Sequence, residues 1–370
     1  MPNFDPEQLL RQDLLNFPPY HTPPVTTRDF DRVIKMDANE NAYPPSPRAL
    51  AALADFHHWN RYATQDELRP DIARYVGVGA EHIVVGNGAD ELIDLVQRIF
   101  LERGDAMVNL PPTFEMYGKY AALNAVRMVE VPRRADFSID VEAIERAISN
   151  FRHLHLRAVQ VFQISDSGTP NLKSAICNLK LLFLANPNNP DGSITARADI
   201  ERLLALPIMV VLDEAYAEFS GESFATRVQT QQNLIVLRTF SKWAGLAGLR
   251  IGYAIAPAPI ADQLLRTKSP YNVNAAAIVA ARASLEDVDF LMANVCRIIA
   301  ERARLSAALT RLGFVRPLPS HTNFLLCRMV GRDANAVRDA LAARGILVRT
   351  FSAPRLRDCI LLSVGTPEQD

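Results

Sequence analysis

The chain has 370 residues, of which 49% are hydrophobic and 22% are charged, and its formal net charge is -1. This composition is typical of a globular protein with a large core, and the balanced charge argues against a nucleic-acid-binding surface. The amino terminus lacks the basic start and apolar run of a secretory signal, and no apolar stretch has membrane-spanning length, so we expect a cytoplasmic protein without nucleic-acid or membrane partners.

The proline-rich amino-terminal segment comes first along the chain. Because proline fixes φ and removes a backbone donor, we expect this segment to lack regular structure and to run extended over a surface, such as that of a partner subunit. Its prolines are Pro18, Pro19, Pro23, Pro24, Pro44, Pro45 and Pro47.

Short β-branched runs alternate with helical patterns from Ile83 to Val210, which is typical of a mostly parallel sheet covered by helices. A helix is predicted over Ala89–Leu101, because apolar residues recur there at helical spacing after the turn Gly86–Gly88. We therefore expect an α/β fold with a seven-stranded sheet. The predicted strands are Ile83–Val85, Ala106–Leu110, Arg127–Val131, Leu181–Leu184, Met209–Leu212, Leu234–Leu237 and Ile251–Ile255.

After Pro270 the pattern predicts a smaller α+β domain. A long helix is expected over Val288–Leu312, ending at Gly313. The elements predicted after it are the strand Asn323–Met329, the helix Ala334–Arg344, and strands at Ile346–Phe351 and Ile360–Val364. We expect residues 1–50 to form an arm and part of the small domain, residues 51–268 the large ligand-binding domain, and residues 269–370 the carboxyl-terminal small domain.

The four cysteines are widely separated, and they form no C-x-x-C pair and have no histidine-rich tract beside them. This spacing argues against a disulfide framework and against a metal site. We expect core thiols in a reducing compartment. The cysteines are Cys177, Cys296, Cys327 and Cys359.

Lys242 follows a predicted strand and precedes a glycine-rich turn. This places it at the carboxyl edge of the sheet, where α/β proteins bind ligands. A lysine that is shielded from water and near positive charge loses its proton readily and becomes a nucleophile toward an aldehyde. The alternative interpretation is a lysine in an exposed loop.

Asp213 stands at the end of the apolar strand Met209–Leu212. A carboxylate in this place could keep a pyridinium nitrogen protonated. Burial would raise the pKa of Asp213, and the cation beside it would lower that pKa again. The alternative interpretation is a helix N-cap.

Two turns between predicted elements offer further ligands. In Asn186–Gly192 the prolines present the amide of Asn189 rigidly, which suits a phenolic oxygen, although an ordinary turn explains the same residues. In Gly86–Glu91 the free N–H groups and the positive helix end suit a small anion. This second turn matches neither a dinucleotide fingerprint nor a Walker loop.

Together these features supply an amine, a carboxylate, a donor to a phenolic oxygen and a phosphate site at one sheet edge. Pyridoxal phosphate requires that set of groups.

The same residues lie in longer runs that resemble the fold-type-I aminotransferases, and within them closely the histidinol-phosphate aminotransferase family. The runs extend from Asp37 to Gln369 and so cover nearly the whole chain. They are MDANENAYPPSP, NRY, VVGNGADELIDL, PPTFEMYGKYAA, ANPNNPDGS, VVLDEAYAEF, LRTFSKWAGLAGLRIGY, ILVRTF and SVGTPEQ.

The resemblance implies that Lys242 is the Schiff-base lysine and the general base, and that Asp213 faces the pyridinium nitrogen of pyridoxal 5'-phosphate. Asn189 and Tyr216 would bond the ring oxygen, with Tyr216 also counted as catalytic. Phe114 would stack on the ring face, with core packing as the alternative. The residues expected around the phosphate are Gly88, Ala89, Asp90, Ser241 and Arg250.

The resemblance also implies a homodimer with shared active sites. Tyr62, in the NRY run, would reach the phosphate bound by the other subunit, and Tyr20, in the proline-rich arm, would reach its substrate. The other expected substrate contacts are Asn39, Asn189 and Arg349.

The sequence departs from the family pattern in three places. In the final strand, Leu361 occupies the position of an arginine that grips the substrate phosphate or the carboxylate of glutamate, which should cost several kcal/mol of anion binding. Arg355 and Arg357 are candidate substitutes. Relatives usually continue beyond the GTPEQ run. The stretch Asn150–Leu181 is longer than the usual connection, and we interpret it as an insertion.

The activity that the resemblance implies is a reversible, two-stage transfer of an amino group in histidine biosynthesis. The amino group passes from L-glutamate to imidazole-acetol phosphate, and the products are L-histidinol phosphate and 2-oxoglutarate. Two alternatives stay open. One is a relative that acts on aromatic amino acids or decarboxylates phosphothreonine. The other is a homologue that binds the cofactor but is catalytically impaired.

Overall fold

The structure is a computed structural model, and it describes residues 6–15, 17–19, 26–162 and 178–370. The strands within these residues, numbered in chain order, are β1 (Ile34–Lys35), β2 (Ile83–Gly86), β3 (Ala106–Asn109), β4 (Arg127–Glu130), β5 (Leu179–Ala185), β6 (Met209–Asp213), β7 (Leu234–Thr239), β8 (Gly252–Ile255), β9 (Val315–Pro317), β10 (Phe324–Met329), β11 (Ile346–Leu347), β12 (Arg349–Thr350) and β13 (Cys359–Ser363).

The α-helices are numbered in the same way. They are α1 (Pro47–Asp55), α2 (Arg69–Val76), α3 (Gly88–Phe100), α4 (Met116–Leu123), α5 (Val141–Phe162), α6 (Arg197–Leu204), α7 (Ala217–Ser220), α8 (Phe240–Trp243), α9 (Ala258–Thr267), α10 (Ala275–Leu285), α11 (Val288–Arg311) and α12 (Ala334–Ala342). Short 3-10 helices lie at Pro6–Leu9, Gln12–Leu14, Thr27–Asp29, Gln65–Glu67, Ala80–His82, Ala225–Gln229, Ala247–Leu249 and Pro354–Leu356.

The large sheet has the strand order β2-β8-β7-β6-β5-β3-β4. Strands β4, β3, β5, β6 and β7 are parallel, and β8 runs antiparallel to both β7 and β2. The prediction of a mostly parallel seven-stranded sheet is confirmed. Because β5, β6 and β7 are parallel, the residues that follow them emerge at one edge, and Asp213 pairs there with Ala185 on one side and Leu237 on the other.

Both faces of this sheet are covered, which explains the continuous apolar runs of the central strands. In β5, Leu182 and Leu184 belong to one buried cluster, whereas Leu181 and Phe183 belong to the cluster on the opposite face. Each such side chain contributes roughly 1.5–3 kcal/mol when fully buried. The sheet is therefore a rigid platform for the residues at its edge.

Two long predicted helices match the structure closely. Helix α3 buries Leu92, Ile93 and Val96 and starts one residue before the predicted Ala89. Helix α11 ends at Arg311, and Gly313 adopts a left-handed φ of 76°, as expected for a glycine that terminates a helix.

The smaller sheets hold the carboxyl-terminal strands. Strands β12, β13, β10 and β9 form an antiparallel sheet in that order, and β1 pairs in parallel with β11. The predicted single strand Ile346–Phe351 is wrong, because β11 and β12 belong to different sheets. The pairing of Ile34 with Ile346 attaches the amino-terminal segment to this part of the molecule.

The proline-rich segment is only partly irregular. Contrary to expectation, Pro47 lies in regular structure as the first residue of α1, and the side chain of Ser46 accepts a hydrogen bond from Ala49 N at 3.2 Å. Proline suits this position because its missing N–H has no partner in the first helical turn. Pro23 and Pro24 lie outside the described residues, as does Tyr20.

Three of the four cysteines lie in the described part of the chain, and they differ in burial. Cys327 and Cys359 are buried thiols, as expected, whereas Cys296 is exposed, so the prediction of a core thiol is wrong there. In the stretch Asn150–Leu181, helix α5 continues to Phe162 and β5 starts at Leu179; residues 163–177, with Cys177, fall outside the described residues. Among the described helices, none has the length and apolarity needed to cross a bilayer.

Candidate active site

Lys242 lies in α8, directly after β7. The hydroxyl of Thr239 accepts a hydrogen bond from Ser241 N at 3.0 Å and so caps this short helix. Lys242 is partly buried, and its Nζ donates to the carbonyl oxygen of Ala38 at 3.1 Å. Burial lowers its pKa to about 8, and repulsion from Arg250 acts in the same direction. Lys242 is therefore not a lysine of an exposed loop.

Asp213 is the last residue of β6 and is 6% exposed. Its Oδ2 accepts a hydrogen bond from the hydroxyl of Tyr117 at 2.7 Å, and its Oδ1 accepts one from Ala215 N at 3.0 Å. Burial raises the pKa of Asp213 to about 6, although these two hydrogen bonds favour the charged form. Helix α7 begins only at Ala217, so Asp213 is not its N-cap.

Tyr117 is a site residue that the sequence reasoning missed. It is completely buried in α4, stacks on Phe183 at a centroid distance of 4.9 Å, and meets Phe114 edge-on at 5.6 Å. Its position three residues after Phe114, close enough for the two rings to meet at the start of α4, is the signal that could have identified it.

Tyr216 and Asn39 join distant parts of the chain. The amide of Asn39 donates to the hydroxyl of Tyr216 at 3.0 Å. The backbone N–H of Asn39 donates to Ser363 Oγ at 2.9 Å, and the amide of Asn323 donates to the carbonyl of Asn39 at 3.0 Å. Asn39 has φ of 54°, a conformation that asparagine tolerates better than most residues. The amino-terminal segment thus connects the site to β13 and to the start of β10.

An anion cradle forms at the start of α3, where Gly88, Ala89 and Asp90 are located. The guanidinium of Arg250 meets the carboxylate of Asp90 at 2.9 Å. A Cβ at Gly88, whose φ is 76°, would lie 2.6 Å from Arg250 Nη2, so glycine lets the guanidinium lie close to the start of α3. Ser241, another residue expected at the phosphate, is buried in the first turn of α8. Helix N–H groups and a guanidinium together suit a phosphate.

The turn that contains Asn189 is fixed to the loop after β3. Its neighbour Asn188 is fully buried, accepts a hydrogen bond from the hydroxyl of Thr113 at 2.9 Å, and donates to the carbonyl of Pro112 at 3.0 Å. Asn189 itself is partly exposed. The loop that carries Phe114 and the turn that carries Asn189 therefore form adjoining walls.

Arg349 is held by an acidic neighbour of Phe114. Its Nη2 lies 2.7 Å from Glu115 Oε1. Leu361, which pairs with Arg349 in the sheet register, is 1% exposed and offers no cation. The two candidate substitutes are engaged on backbone carbonyls, Arg355 on those of Arg133 and Arg134, and Arg357 on that of Ser352.

Tyr62 lies apart from these residues within its own chain. Its side chain is 83% exposed and stacks on Tyr271 with the ring centroids 4.6 Å apart. Trp59 is exposed close by in sequence. Tyr62 and Tyr271, which is 58% exposed, form an exposed aromatic pair.

The arrangement as a whole fits pyridoxal phosphate. An amine with a lowered pKa, a buried carboxylate and an anion cradle occupy the same sheet edge, with Phe114 on an adjoining wall. The N–H groups at the start of α3 and the guanidinium of Arg250 beside Gly88 would bind a phosphate, and the buried Asp213 would become fully ionised beside a cationic ring nitrogen.

Comparison with known proteins agrees with this geometry. Residues 31–370 match the family "Aminotransferase class I and II". A relative from Roseiflexus castenholzii, named histidinol-phosphate aminotransferase, is 49% identical over 98% of this chain and 95% of its own length. A chloroplastic relative of the same name from Nicotiana tabacum is 42% identical over 91% of this chain and 76% of its own length.

A solved structure shares the fold. It is histidinol-phosphate aminotransferase from Sinorhizobium meliloti in complex with pyridoxal-5'-phosphate, with a TM-score of 0.77, 28% identity, and coverage of 91% of this chain and 87% of that one. The chain belongs to the class I and II aminotransferases and, within them, to the histidinol-phosphate aminotransferase family.

Proposed function

We propose that the chain catalyses pyridoxal-phosphate-dependent transamination between L-histidinol phosphate and 2-oxoglutarate in histidine biosynthesis. The observation that carries this proposal is the placement of the partly buried Lys242 and the buried Asp213 at one sheet edge, with the anion cradle at the start of α3. The substrate is inferred from the names of the relatives described above. Bound there, the cofactor would supply an electron sink for the substrate's amino-bearing carbon.

In this proposal Lys242 holds the cofactor covalently. Once displaced, its free amine would be the base that moves a proton between the amino-bearing carbon of the substrate and the cofactor carbon that takes up the amino group. Asp213 keeps the ring nitrogen protonated, and the hydroxyl of Tyr117 keeps Asp213 oriented. Tyr216 and Asn189 donate to the ring oxygen.

The other cofactor contacts follow from the walls of the site. Phe114 covers one ring face. The phosphate would be held by Ser241, by Arg250 and by the backbone N–H groups of Ala89 and Asp90, with Gly88 letting the guanidinium lie close to these groups. Substrate contacts come from Asn39 and Arg349, and an anionic substrate would compete with Glu115 for Arg349.

The chain acts as a homodimer in this proposal. The exposed, stacked rings of Tyr62 and Tyr271 support it, because large exposed aromatic groups mark interaction surfaces. Tyr62 would then complete the phosphate site of the other subunit, and Tyr20 its substrate site. We further propose a cytoplasmic location, and a division into an arm (1–50), a large domain (51–268) and a small domain (269–370).

The function is tested by assaying the purified protein, loaded with cofactor, on L-histidinol phosphate with 2-oxoglutarate. We expect formation of L-glutamate, with phenylalanine and phosphothreonine as much poorer substrates. Faster turnover of phenylalanine than of histidinol phosphate would show that the protein acts on aromatic amino acids instead. Release of carbon dioxide from phosphothreonine would show that it is a decarboxylase. Cofactor binding without single-turnover amino transfer would identify a catalytically impaired homologue.

The pKa of Lys242 gives a pH prediction. An ordinary lysine with a pKa of 10.5 is almost wholly protonated at neutral pH, whereas a pKa of about 8 leaves roughly one amine in ten free at pH 7. In protein stripped of cofactor, trace acetylation of Lys242, followed by mass spectrometry, should rise with pH and level off above about pH 8.

A variant at Lys35 gives a second test of this titration. It repels the protonated amine of Lys242, so Lys35→Met should move the acetylation midpoint to higher pH. A midpoint near 10.5 in the unmodified chain would show that Lys242 is freely solvated and would contradict the proposed site.

A further inference from the structure

Arg133 is a buried arginine just beyond the end of β4. It is 4% exposed, its backbone N–H donates to the carbonyl of Pro111 at 2.8 Å, and its Nη1 donates to the carbonyl of Phe137 at 3.1 Å. The backbone contact places Arg133 next to the loop that leads to Phe114, and the contact with Phe137 holds one end of the guanidinium.

The rest of this guanidinium has no hydrogen-bond partner among the described residues. Nε and Nη2 are buried and make no hydrogen bond with any described residue. Arginine is almost never fully buried unless it is paired, because an unpaired buried cation is costly. Nε and Nη2 form one edge of the guanidinium, and this edge matches the two oxygens of a carboxylate or phosphate.

The charged and titratable groups that act on Arg133 belong largely to the site walls. They are Asp191, in the turn of Asn189, Tyr117, whose hydroxyl contacts Asp213, and Arg355. Burial, together with repulsion from Arg355 and against the attraction of Asp191, lowers the pKa of Arg133 to about 10. Asp191 is itself engaged by the amide of Asn188 and by Ser193 N, so it does not satisfy the free edge of Arg133.

An anion ligand is missing elsewhere in the same site. Leu361 stands where the family resemblance places an arginine, and it is buried in the apolar core. Both amino donors of the proposed reaction carry an anionic group close to the reacting amine: a phosphate ester in L-histidinol phosphate and the α-carboxylate in L-glutamate. Beside Arg349, the site therefore needs a second cation, which β13 does not provide.

We propose that Arg133 is this cation, and that its Nε–Nη2 edge binds the anionic group nearest the amine of the amino donor. The inference rests on the proposed function. It moves the anion ligand from the final strand of the small sheet to the loop after β4, beside the aromatic wall of the site.

The test compares two amino donors that differ only in the presence of the phosphate group. Arg133→Met should lower kcat/KM for L-histidinol phosphate by about 10²-fold, the usual effect of removing one partner of a buried charge pair. It should change kcat/KM for L-histidinol, which lacks the phosphate, very little. Arg133→Lys keeps the charge without the paired donors and should give an intermediate loss. Arg134→Met removes an exposed neighbouring arginine and should leave both substrates unaffected.

A charge-relocation variant sharpens the test. Arg133→Met combined with Leu361→Arg should recover most of the lost activity on L-histidinol phosphate. Equal losses on both donors, with a lowered melting temperature, would show a purely structural role for Arg133 and overturn the inference. If the unmodified protein does not use L-histidinol phosphate, the proposed function fails. The inference is then tested by comparing the effect of Arg133→Met on kcat/KM for L-glutamate and for L-isoglutamine, in which an uncharged amide replaces the α-carboxylate.

Discussion

Lys242→Ala is expected to lower kcat for transamination by about 10⁴-fold or more, because the chain loses both its covalent anchor and its general base at one position. The contacts around the residue support a large loss. Nζ is held by the carbonyl of Ala38 in the partly buried floor of the site, and an alanine side chain there offers neither a nucleophile nor a base. The measurement is a single-turnover assay with L-glutamate.

The matched pair of variants is Lys242→Arg and Lys180→Arg. The first variant would keep a cation in the site, but a guanidinium is always protonated and could neither attach the cofactor nor move a proton. Lys180→Arg preserves the ion pair with Asp105 and should keep full activity. Borohydride reduction of the loaded parent should fix the cofactor to Lys242, and a labelled peptide elsewhere in the chain would refute the assignment.

Much of the fold could be predicted from the sequence, because the buried strands are continuous apolar runs with turn residues between them. All seven strands of the large sheet were placed to within a few residues. The predictions failed where one pattern fits two structures. The segment Ile346–Phe351 has the alternation of a single strand, yet β11 pairs with β1 and β12 pairs with β13. Strands distant in sequence determine which sheet each half of the segment joins, and the periodicity of the segment itself contains no information about those strands.

The candidate site shows the same division. Lys242, Asp213 and the Gly88 turn could be located because each follows or joins predicted elements. Asn323 could not be located, because its amide donates to the backbone carbonyls of Asn39 and Glu40, which lie 284 and 283 positions earlier in the sequence. Tyr117 was missed for a different reason, because its value lies in a contact with Asp213 across the sheet edge.

Asp213→Asn is expected to lower kcat by about 10² to 10³-fold, the range found when one well-placed electrostatic group is removed from an active site. The amide has the same shape, so packing should persist. It carries no charge, however, and the ring nitrogen beside it would lose its proton at neutral pH. Cofactor should still bind, because the anion cradle at Gly88 and Arg250 is separate from Asp213. Stopped-flow absorbance with L-glutamate separates the two effects.

Tyr117→Phe distinguishes charge from packing at the same place. Its hydroxyl lowers the pKa of Asp213, which burial alone would raise further, so removing it should move the acidic limb of the activity profile to higher pH while activity at alkaline pH is retained. A packing defect would instead lower activity at every pH. If Asp213→Asn kept parental turnover, the ring nitrogen would need no buried anion, and the buried aspartate at the end of β6 would be a structural residue stabilised by Tyr117 and Ala215 alone.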